Sequence, residues 1–139
     1  MINEDYCCYE VAKLLEKKGF PMIEHLFMYV NKDNVFMTDD YASLKLPFEE
    51  YKNFDEMYIP TITHQMAMKW LRKKHKIDIS VTPDDGSWWI KVTELESWSC
   101  VFNGKVLNSD DIKYAYKGDT STKEGCYEAG LWYVLKNLI

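Results

Sequence analysis

The chain has 139 residues, 47% of them hydrophobic and 28% charged, with 17 cations against 22 acids for a formal net charge of −5. That length suits one compact domain, residues 1–139, burying roughly two thirds of its unfolded surface, and the apolar content excludes a disordered chain. The negative balance argues against general attraction to phosphate backbones or anionic lipid.

The start, "MINEDYCCYE", has no basic segment followed by an apolar one, and apolar runs such as "LFMYV" are too short to span a bilayer. A cytoplasmic protein without a membrane partner is expected. From Cys8 to Lys18, Cys8, Val11, Ala12 and Leu15 recur at helical spacing, and Gly19 followed by Phe20 suits a left-handed cap at the end. "HLFMYV" and "VFMT" flank "NKDN", which predicts a β-hairpin spanning His25 to Thr38. Periodicity then fails from Asp39 to Tyr58, as in an irregular connection.

Pro60 with Thr61 or Thr63 is expected to open a second helix, which the stripe Ala67, Trp70, Leu71 and Lys74 carries to about Lys76. Ile77, Ile79 and Val81 alternate with polar residues, as do Trp88, Ile90 and Val92, and then Trp98, Cys100 and Phe102. Three antiparallel strands follow from this, with "PDDG" turning the first pair. Asn103-Gly104 is expected to turn the chain into a short fourth strand at Lys105 to Leu107, and the stretch on to Thr120 is ambiguous. Ser121 and Glu124 stand in capping-box spacing before a closing helix with Tyr127, Leu131, Val134 and Leu138 on one face. The fold class is therefore α+β, with three main helices, a hairpin and a three- to four-stranded meander on which the C-terminal helix packs.

Motifs for chemistry are sparse. His64 and His75 share a helical face but stand about 16 Å apart along it, so they cannot hold one ion, and no metal-ligand spacing surrounds either. Cys7, Cys8, Cys100 and Cys126 form no C-x-x-C pair and are expected as buried thiols. The adjacent acids Asp39-Asp40, Glu49-Glu50, Asp84-Asp85 and Asp110-Asp111 point to opposite faces if extended, and suit turns better than catalysis. Phosphate-cradling and nucleophile-elbow motifs are absent, and no cofactor is implied.

The run Lys69, Arg72, Lys73, Lys74 and Lys76 has no acid among it, leaving 12 of the 17 cations against all 22 acids elsewhere. Cations there complement the negative end of a helix dipole, and they also suit a local anionic partner. Trp70 and Met66 are expected in the core. Trp89, facing away from Trp88 on its strand, is the candidate exposed aromatic for an interface.

The words "YEVAKLLEKKGF", "IPTITHQMAMKWLRKKHKIDI" and "YEAGLWYVLKNLI" resemble a group of small proteins of unassigned function from gut-anaerobe genomes and their phages or mobile elements. The resemblance implies a mobile-element origin and carries no functional residue. In element order alone, the segment from Thr61 to Leu138 is similar to a double-stranded-RNA-binding domain. It departs from that family where a lysine cluster should open the last helix, since "STKEGCYEAG" has one Lys beside two Glu. Three functions follow as expectations. The first is a non-enzymatic accessory or interaction protein, acting on a protein partner or on itself near the second helix or Trp89. The others are a local nucleic-acid binder using the cationic run, disfavoured by net charge, and an enzyme whose site only the fold assembles.

Overall fold

The computed structural model describes residues 6–21, 28–38, 58–105 and 122–139. The fold is α+β, and the chain divides into two compact units, Met1–Thr63 and His64–Ile139. No described helix is long and apolar enough to cross a membrane. The fourth strand past Lys105, most of the 39–58 connection, the Ser121 cap and three of the acid pairs lie outside the described residues.

In the first unit, helix α1 (Tyr9–Lys17) buries Val11, Ala12 and Leu15 as its apolar stripe requires. It ends as expected: Gly19 takes φ +92°, the Phe20 N–H donates to Leu15 O at 3.0 Å, and Phe20 is buried behind the cap. Its start is capped from a distance. Cys8 makes no capping bond from its side chain, and the Tyr9 N–H instead donates to Asn34 Oδ1 at 2.9 Å. Asn34 sits in the turn between β1 (Met28–Asn31) and β2 (Phe36–Thr38), where Asn31 Oδ1 accepts from the N–H groups of Asp33 and Val35.

A third strand, β3 (Tyr58–Thr61), pairs antiparallel with β1, giving the order β2-β1-β3. This corrects the reading of Pro60 and Thr61 as helix openers. Pro60 lies opposite Tyr29 in the ladder, and Thr61 is buried with its hydroxyl donating to Cys7 O at 2.7 Å. A proline is tolerated there because β3 is an edge strand of the described sheet, where a missing donor costs little.

In the second unit, helix α2 begins only at His64, runs to Trp70, and continues as a π-helical turn over Leu71–His75. Ala67 and Leu71 are buried as the stripe predicts, but Met68 rather than Met66 enters the core, and Trp70 is half-buried. Strands β4 (Ile77–Asp84), β5 (Ser87–Glu94) and β6 (Ser99–Lys105) form the meander. Ile77, Ile79, Val81, Ile90 and Val92 are buried on one face, as the alternation requires. Asp85 and Gly86 both take positive φ, which gives the β4–β5 hairpin a turn of matching twist.

Strand β6 departs from expectation twice. Asn103 and Gly104 do not turn the chain; they stay in the ladder opposite Lys91 and Ile90. The eight residues of β5 provide a template long enough to extend the pairing past this dipeptide. Second, Val92 faces Phe102 while Thr93 faces Cys100, so Val101 is an extra residue and the alternation breaks at this bulge. Trp98 falls outside the strand, in the turn Leu95–Trp98.

Helix α3 (Lys123–Asn137) packs on β4 and β5 and touches α2. Thr122, not Ser121, caps it, its Oγ1 accepting from the Gly125 N–H at 3.0 Å. It is buried around most of its circumference, so Leu131 and Val134 from the predicted face are joined by Cys126, Glu128, Ala129, Trp132 and Leu135. Gly130 permits the close approach: a Cβ there would lie 2.9 Å from Ile79 Cγ2.

Candidate functional site

The cationic run straddles the end of α2, the π-helical turn and the first residue beyond it. Widening the helix from Leu71 rotates the following side chains away from α-helical spacing, and such insertions recur at functional sites. Lys69, Lys73, Lys74 and Lys76 are exposed; Arg72 is half-buried, with Nη1 3.6 Å from Asp78 Oδ1. Lys76 closes the turn in the left-handed region, φ +57° and ψ +40°, its N–H donating to Leu71 O. Glycine usually holds that position, because a Cβ there costs about 1 kcal/mol.

A cleft of about 590 Å3 is lined by Lys74, His75 and Lys76 from the end of α2 and by Glu94, Glu96 and Val101 from β5, the turn after it and β6, with Ile77 and Leu138 also lining it. The first two of these segments are tied together, since the Leu95 N–H donates to Lys76 O at 2.7 Å. His75 packs edge-on to Trp70 at 4.8 Å, and its Nε2 is buried without a hydrogen bond among the described residues. Burial of the ring, and then the charge of Lys74 beside it, hold the His75 pKa below its ordinary 6.5. The histidine of this cleft is therefore neutral at neutral pH.

Trp98 lies two residues from Glu96 on the turn that borders the cleft. It is 77% exposed and takes φ +55°, a backbone region that bulky residues rarely occupy. Among the described residues, the non-glycine residues with positive φ are Asn34, Lys76, Asp85 and Trp98. Asn34 and Asp85 are of types that adopt it readily in turns, whereas Lys76 and Trp98 are not. The two costly positions thus fall on two segments that line one cleft.

Trp89, the expected exposed aromatic, is half-buried, and its indole N–H donates to Asn103 Oδ1 across the sheet. Trp88 is also half-buried. The expectation of four buried thiols holds for Cys7 and Cys126; Cys8 is half-buried, Cys100 is exposed, and no disulfide joins any of them.

His64 and Glu128 form a buried pair in the second unit, Nε2 to Oε1 2.7 Å, with side chains 5% and 8% exposed. The ring donates from Nε2 to the carboxylate, and Tyr127 lies against it with centroids 6.1 Å apart. So enclosed, the pair is out of reach of a substrate and acts as a polar tie between α2 and α3. Within either unit, no three described His, Cys, Asp or Glu residues converge on a point where a metal would sit.

Sequence reasoning missed Glu94, Glu96, Trp98 and Glu128. The flanking serines of "ESWS" hint at a turn, and the β5–β6 pairing that closes at Glu94 and Ser99 leaves Trp98 in it. At the start of α3, Lys123 places its Nζ 5.9 Å from the Trp88 ring and 5.8 Å from the Tyr127 ring, so the one lysine of that turn is held over aromatic faces. Comparison with protein-family models, with curated proteins and with solved structures gives no match.

Proposed function

We propose that the protein is a non-enzymatic interaction module whose working surface is the cleft of the second unit together with the Leu95–Trp98 turn. The observation that carries this reading is Trp98, 77% exposed and held in a left-handed conformation beside the cleft. An indole left in water forgoes a large burial gain, which is recovered when a partner covers the ring. Exposed Trp is also the side chain most enriched among residues that dominate binding. Catalysis has less support, because the buried acid-histidine pair is closed to solvent and the histidine at the cleft buries its Nε2.

Photo-cross-linking tests the reading. With benzoylphenylalanine at position 98, irradiation of cells that make the protein is expected to yield a discrete adduct, identified by mass spectrometry as a second copy or another protein. The same probe at exposed Lys91 on β5 is expected to give none. A featureless smear, or equal adducts at both positions, would overturn it.

A further inference from the structure

We infer that the cleft takes an extended peptide segment of a partner protein carrying both an acidic and a basic side chain around an apolar one. The inference rests on the interaction reading above and names the chemistry of the occupant. Lys74 and Lys76 line it and are exposed, as are Glu94 and Glu96. No ion pair joins any of the four to a described residue. Two cations and two carboxylates therefore border one cavity with their pairing capacity unused.

The apolar lining comes from Ile77, Val101, Leu138 and Ile139. A volume of about 590 Å3 is within the range of sites that enclose a ligand of drug size, or a few residues of peptide. The Leu95 N–H to Lys76 O bond holds together the backbone segments that carry these charges.

Charge decides among occupants. A phosphodiester strand satisfies Lys74 and Lys76 but is repelled by Glu94 and Glu96 in the same cleft. A wholly apolar ligand leaves four charges to be desolvated without partners, and a peptide of one sign leaves two of them opposed. Only an occupant of mixed sign pairs both sets of charges while covering the apolar lining.

Fluorescence anisotropy at low salt tests this with capped, fluorescein-labelled short peptides of one length: two of mixed charge, acid-apolar-base and its reverse, one all-acidic and one all-basic, with oligothymidylate as a further probe. One mixed peptide is expected to bind at least about tenfold more tightly than the single-sign peptides and the oligonucleotide. Its affinity is expected to fall about tenfold both in Lys74→Glu/Lys76→Glu and in Glu94→Lys/Glu96→Lys. All four positions are exposed, so circular dichroism should show both variants folded. The inference is overturned if neither mixed peptide binds, if a single-sign peptide or the oligonucleotide binds as well, or if reversal of the glutamates leaves affinity unchanged. A discrete adduct at position 98 alongside any of those results retains the interaction reading and rejects the occupant; absence of the adduct rejects the reading itself.

Discussion

His75 shows how one ring can make stability depend on pH. Its buried Nε2 has no hydrogen-bond partner among the described residues, and burial with the nearby Lys74 charge depresses its pKa below 6.5. The unfolded chain takes up this proton at a higher pH than the folded chain does. The stabilisation is therefore complete above about pH 6.5 and lost progressively below it. Urea midpoints compared between about pH 7.5 and about pH 5 should fall further for the native sequence than for His75→Phe, which keeps a ring against Trp70 and does not titrate. Equal falls would show that the ring is not the group responsible. Trp98 and Lys76 are legible as residue types but not as conformations, because a left-handed φ at a bulky residue is imposed by the turn around it.

The elements differ in how far neighbouring sequence specifies them. Helix α1 carries its stripe and glycine cap within a dozen residues, yet its first N–H is satisfied by Asn34, 25 residues away. Helix α3 was legible from Leu131 and Val134, but Glu128 reads as a solvated residue until His64 is set beside it. Removing one member of such a buried pair leaves the other without compensation, so Glu128→Ala should cost about 3 kcal/mol in chemical denaturation. His64→Leu with Glu128→Met should recover most of that loss, and a double variant no better than the single one would argue against the pairing. Gly130 presents opposed effects. Alanine gains about 1 kcal/mol in helix propensity, while a Cβ 2.9 Å from the branched Cγ2 of Ile79 forces overpacking worth about 1–3 kcal/mol. Gly130→Ala should therefore lower stability by about 1 kcal/mol, and a gain would show that β4 yields at Ile79.

Across the chain as a whole, charge separates binding partners more sharply than fold does. The net charge is −5, Lys74 and Lys76 share the cleft with Glu94 and Glu96, and Arg72 sits beside Asp78. No measurable retention on single- or double-stranded nucleic acid is expected at about 0.15 M salt, where screening leaves only close contacts. Retention that vanished on reversing Lys69, Lys73, Lys74 and Lys76 would restore the phosphate-binding alternative. The unit from His64 onward has the order helix, three strands, helix, and order alone confers no activity.

The amphipathic helices, the three alternating strands and the Asp85-Gly86 hairpin were readable because their periods and turn chemistry act between residues close in sequence. The position of β3 beside β1, the passage of β6 through Asn103-Gly104, the bulge at Val101, and the tie between His64 and Glu128 were decided only by folding. Each depends on a partner strand or helix that the local sequence does not contain, and pairing of that kind overrides a two-residue turn signal or a short alternation when enough hydrogen bonds and buried area are at stake.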